Sequence, residues 1–114
     1  MRNLIQWQWE SYINFHGSKK NLLIHIFAVP IFLMANTALI VGLLTINLAL
    51  CLMAILMMAL SLAAQAKGHG TEKMPSIPFN GAANAAMRLL IEQWINFPRF
   101  VLSGRWWKAW RNVE

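Results

Sequence analysis

Hydrophobic positions in this chain are massed rather than spaced. Residues 21–66 hold 46 consecutive positions without a Lys, Arg, Asp or Glu, mostly Leu, Ile, Ala and Met. One helix crossing a hydrocarbon layer needs about 20 apolar residues, so the run is long enough for two crossings and too long for one. Small and polar residues at 42–47, GLLTIN, predict a turn. The expected element is therefore a transmembrane hairpin with helices over 21–41 and 46–65. A secretory leader fits poorly, because its apolar core spans about 7–15 residues behind a short basic start. A soluble bundle would have to cover the whole run with the rest of a 114-residue chain.

The flanks show helical rather than continuous patterning. In residues 1–16, Ile5, Trp9, Tyr12, Ile13 and His16 recur at helical spacing, with Gln6, Glu10 and Asn14 as a polar stripe. Gly17 and Ser18 end that pattern. Residues 67–78 read as a loop. Residues 79–97 carry a polar stripe advancing by four, Asn80, Asn84, Arg88, Glu92 and Asn96, opposite Ala, Met, Leu, Ile and Trp. Small residues on that opposite face suit close approach to another helix, and self-association is compatible with such a face. Pro98 suits the first turn of a last helix over 99–111. The predicted fold class is all-α integral membrane: a two-helix transmembrane hairpin flanked by amphipathic or interfacial helices, forming one domain over 1–114.

Charge orients the hairpin. All ten Lys and Arg lie outside the uncharged run, in the two ends that a hairpin places on one side. The positive-inside pattern then puts both termini in the cytoplasm, with a bacterial inner membrane as the expected location. All six Trp, at 7, 9, 94, 106, 107 and 110, also flank the run, as expected of side chains at a lipid interface. The net charge of +6 needs no nucleic-acid partner, because basic residues alternate with tryptophans, as in RWWKAWR at 105–111. Membrane lipid is the expected partner.

The polar residues that enter the apolar run concentrate at its doorway. YINFHGSKKNLLIHIFAVP, residues 12–30, brings in His16, Asn21 and His25, and an antiparallel hairpin sets the start of its first helix level with the end of its second. His16, His25 and His69, all the histidines of the chain, are then expected at one membrane face. Gly68 and Gly70 would bend the backbone there, with Gln65 and Glu72 nearby. Three neutral imidazoles suit Zn, Fe or Cu, and Glu72, Asn21 and Gln65 are candidates to accept their second N–H groups. Each histidine taken alone reads as a polar interface residue. His25, about a turn inside the span, points further toward function, since ionisable groups within membrane segments tend to mark sites.

Two patterns carry a resemblance: Tyr12, His16, Asn21, His25 and Pro30 as Y-x3-H-x4-N-x3-H-x4-P, and Gln65, Gly68, His69, Glu72 and Pro75 as Q-x2-GH…E…P. In this order they resemble the Mpo-like family of small membrane proteins, typified by a fungal 2-hydroxy fatty acid dioxygenase. The ending EQWINFPRFVLSGRWWKAWR resembles that of short bacterial members, while Ala28 and Leu62 depart from the family pattern. The resemblance implies an Fe(II)-dependent enzyme that uses O2 to shorten a 2-hydroxy fatty acid by one carbon at the cytoplasmic membrane face. It implies His16, His25 and His69 as iron ligands and Tyr12, Asn21 and Glu72 as supporting catalytic residues. Lys19, Lys20 and Lys73 would draw in the substrate carboxylate or contact lipid headgroups. Two other functions fit the pattern: a haem protein with two axial histidines, and a non-catalytic hairpin that engages lipids or partner proteins. Cys51 is single and implies no disulfide.

Overall fold

The computed structural model describes residues 2–112, so the expected first helix begins one position before the described chain. It is all-helical, with no strand among the described residues. Helix α1 (Arg2–Glu10) leads through a 3-10 turn (Tyr12–Phe15) to two long apolar helices, α2 (Lys19–Leu44) and α3 (Leu48–His69). Then come α4 (Ala82–Ile91), a π-helical turn (Glu92–Asn96), α5 (Phe97–Leu102) and α6 (Arg105–Asn112). The chain is elongated, 47 × 28 × 24 Å. Helices α2 and α3 pack along each other as a hairpin, and the remaining elements gather around its open end.

Local chemistry sets the boundaries. The Ser18 side chain caps α2 by accepting from the Asn21 amide N–H, so α2 starts two residues before the expected span. Asn47 caps α3 by accepting from Leu50. The reversal falls at 45–47, where Ile46 takes φ 52°. A β-branched residue pays about 1–2 kcal/mol for that left-handed conformation. Gly42, expected in the turn, is instead helical, and a Cβ there would lie 2.8 Å from Cys51 Sγ. Its small size serves helix contact. Gly68 likewise does not bend the chain: α3 runs through it to His69, and a Cβ at Gly68 would overlap Asn21 Oδ1.

Burial fixes the facing of the 79–97 segment. The later part of its polar stripe turns inward, with Asn96 buried, Glu92 nearly so and Arg88 in a cavity wall, while Asn80 is exposed. Met87, Leu90, Trp94 and Ile95 face outward. The apolar core is small, built from Trp9, Tyr12, Leu22, Val29, Phe97 and Phe100, and it sits at the open end of the hairpin. The distal hairpin is bare: Leu44, Ile46 and Leu48 are 79%, 92% and 72% exposed. Pro98 lies in the first turn of α5, which continues directly from the π turn, and the break before α6 comes at Gly104 (φ 83°).

Candidate metal centre

Four elements each deliver one donor to the core. His16 follows the 3-10 turn, His25 lies two turns into α2, His69 ends α3, and Glu92 opens the π turn. One candidate ligand atom from each lies within 4.8 Å of all the others. Donors held at about 2.1 Å from one ion lie at most about 4.2 Å apart across it, so the set is close to a closed coordination sphere. The three imidazoles pack edge to face, with ring centroids 4.7–4.9 Å apart.

Hydrogen bonds fix which nitrogens face inward. His16 Nδ1 lies 2.8 Å from the Tyr12 carbonyl and His25 Nδ1 lies 3.1 Å from the Asn21 carbonyl. A carbonyl only accepts, so both Nδ1 atoms carry protons and both rings present Nε2 to the cluster. These Nε2 atoms reach the same oxygen, Glu92 Oε2, at 3.0 and 3.5 Å. This is the arrangement of metal-binding histidines, in which one ring nitrogen donates to a carbonyl and orients the other. His25 Nε2 and His69 Nδ1 are buried without a hydrogen-bond partner. A buried polar atom left unpaired costs about 1–3 kcal/mol, which a cation among the donors would offset.

Tyr12 supports the cluster in two ways. Its ring stacks on His16 at 3.8 Å, nearly parallel, and its hydroxyl donates to Glu92 Oε2 at 3.0 Å. Burial, the Glu92 charge and that hydrogen bond all push the Tyr12 phenol up, well above its ordinary value. For Glu92, burial works against ionisation, but the His16 hydrogen bond and the nearness of the His16 and His25 rings, when these are protonated, outweigh it and hold the carboxyl well below the usual carboxylate range.

The supporting residues expected from sequence take other places. Glu72 does not reach the histidines. Its carboxylate accepts from the Gly17 and Ser18 amides and from Asn21 Nδ2 (2.7 Å), pinning the loop after α3 to the start of α2. Asn21 serves His25 through its backbone carbonyl rather than its side chain. Gln65 forms a reciprocal amide pair with Gln93, at 3.0 and 2.7 Å, and donates to Ser61. Lys19, Lys20 and Lys73 are exposed, and none lines the adjoining cavity. That cavity, about 430 Å³, is bounded by Tyr12, His16, His69 and Glu92 at one side and by Leu62, Ala66, Ile77 and Leu89 elsewhere.

Glu92 is the carboxylate of the cluster, and Glu72 had stood in its place. It lies 67 positions beyond His25 in a stripe with the spacing of a polar outer face. Were lipid to surround this segment, a polar stripe opposite Met87, Leu90, Trp94 and Ile95 would belong inside. Comparison with protein-family models finds no match, and neither does comparison with curated proteins or with solved structures.

Proposed function

We propose that this protein is an integral membrane Fe(II)-dependent dioxygenase that shortens 2-hydroxy fatty acids by one carbon at the cytoplasmic membrane face. The observation that carries the reading is the convergence of two imidazoles, each with its Nδ1 committed to a backbone carbonyl, on one oxygen of a buried carboxylate beside an apolar cavity. His16, His25, His69 and Glu92 would hold the ion. With Glu92 the donor set carries one negative charge, so an anionic substrate meets a less cationic centre than three histidines alone would make. A ferrous ion held there would supply O2 binding and chelation of a 2-hydroxy acid. Tyr12 fixes the His16 ring and the Glu92 oxygen. Phe97 and Phe100 wall the donors off from water on their other side.

Membrane insertion is supported by what the hairpin leaves bare. In the most apolar windows of α2 and α3, 28% and 17% of residues are buried within the chain, whereas the core helix of a soluble protein would be largely covered. The basic, Trp-rich ends favour a cytoplasmic placement of both termini. The edge-to-face packing of the histidines leaves no slot for a porphyrin between two axial rings, which disfavours the haem reading.

Metal content tests the centre on which the proposal stands. Protein purified in detergent without oxygen is expected to carry about one iron per chain, lost in His25→Ala and His69→Ala while the helical circular dichroism is retained. Wild-type protein that takes up no metal even when offered Fe(II) would overturn the reading.

A further inference from the structure

The cavity beside the histidines has a single cation in its wall among the described residues, and no carboxylate pairs with it. Arg88 reaches in from α4. Its Nη1 and Nη2 donate to the Pro78 and Ile77 carbonyls at 3.1 and 2.8 Å. The guanidinium also lies over the rings of Phe79 and Trp7, at 4.4 and 5.3 Å from their centroids. These contacts hold the planar group still and leave Nε buried without a partner. Glu92 lies one turn further on, at a spacing that favours an ion pair, yet it turns its oxygen to His16, His25 and Tyr12. A rigid guanidinium fork with N–H groups to spare is a receptor for a planar anion.

The rest of the cavity wall is mostly apolar. Leu62, Ala66 and His69 line it along α3, and seven residues of helix span about 10 Å. The space therefore runs from the donor cluster into the apolar stretch of α3, between α3 and an α4 that α3 barely touches. Its size is in the range of small-molecule sites.

We propose that Arg88 selects the acid: the Nη N–H groups not engaged by the Ile77 and Pro78 carbonyls donate to the carboxylate of a single-chain amphiphile whose tail lies over Ala66 and Leu62. This deepens the proposed function and rests on it for the identity of the reacting head group. Arg88 is a specificity residue, and Lys19, Lys20 and Lys73 are not part of the site.

The test offers protein in detergent an equimolar mixture of hexadecanoate and hexadecanol and counts each bound species by native mass spectrometry. Wild-type protein is expected to favour the acid, and Arg88→Gln to lower the acid-to-alcohol ratio roughly tenfold or more, the scale of a charge-assisted hydrogen bond. Arg88→Lys keeps the charge without the fork and is expected to fall between them. A ratio in Arg88→Gln within twofold of wild type would overturn the proposal. So would a parallel loss of acid and alcohol at constant ratio, which would make Arg88 only a latch for the 76–79 segment. Metal content of the same samples separates the two proposals: iron kept in Arg88→Gln with the preference lost supports both. A wild type that binds no metal overturns the proposed reaction, while the ratio still decides the role of Arg88.

Discussion

Two carboxylates of this protein exchange roles between sequence and structure, and a crossed pair of substitutions separates them. Glu92→Gln preserves shape and removes the charge that His16 and His25 share. Removing a group that merely orients a metal ligand typically costs 10–100-fold in metal affinity, and Glu92 is itself in the donor set. Its loss is therefore expected to weaken metal binding by roughly 100-fold or more. Glu72→Gln should do the opposite. Glu72 accepts from two backbone amides and from Asn21 Nδ2 through both oxygens, and a glutamine keeps one acceptor oxygen. Hydrogen bonds to a charged group contribute about 1.5–3 kcal/mol, and discounting for the partial exposure of Glu72 leaves a loss of about 1–2 kcal/mol. Competitive metal titration gives the affinity and reversible unfolding in mixed micelles gives the stability. Glu92→Gln binding metal as wild type does, or Glu72→Gln losing metal with its stability unchanged, would refute the assignment.

Other consequences can be checked on the same preparations. Gly68→Ala places a methyl group against Asn21 Oδ1 and is expected to cost about 1–3 kcal/mol by overpacking, with part recovered in the Asn21→Ala background; an unchanged unfolding curve for the single variant would exclude the close approach. In metal-free protein, the depressed Glu92 carboxyl contributes stability that is present in full above about pH 4.5 and is lost as the pH falls through its lower folded value. The stability difference between wild type and Glu92→Gln should therefore shrink on acidification below pH 4.5, and a difference that widens would contradict the direction of the shift. Leu56 is 57% exposed in the middle of α3, so Leu56→Asp should reduce membrane insertion by about 2.5–3.5 kcal/mol if lipid covers that face. Unaltered membrane fractionation, with improved solubility, would favour a water-exposed hairpin.

The hairpin was legible because its signal is compositional and long. No local override hides 46 uncharged residues, and antiparallel pairing then sets His25 level with His69 whatever the turn. The two glycines and the carboxylate were not legible, since each depends on a contact rather than a pattern. Gly42 and Gly68 look like turn residues in sequence and act as points of close approach in space. Glu92 needs the π turn and the packing of α4 against α1 before its direction is fixed. The polar stripe at 80–96 was visible, but its facing depends on whether water or lipid lies outside, and periodicity alone does not supply that.

The polar interior itself argues for a ligand at this place. Buried amides here are tied off: Gln65 with Gln93, and Asn96 to the Ile5 carbonyl and the Gln8 side chain. Six buried side-chain polar atoms among the described residues lack a partner, and they divide into two kinds. Asn21 Oδ1, Asn36 Nδ2 and Asn96 Oδ1 belong to amides already bonded at their other end. His25 Nε2, His69 Nδ1 and Arg88 Nε differ in place rather than in bonding, since His25 and Arg88 are likewise bonded through their other nitrogens. Two sit in the donor cluster and the third in the wall of the cavity beside it. Packing faults would scatter such atoms through the chain. Two imidazole nitrogens and a guanidinium N–H lie unpaired around one space, which is the pattern that the proposed cation and anion would complete.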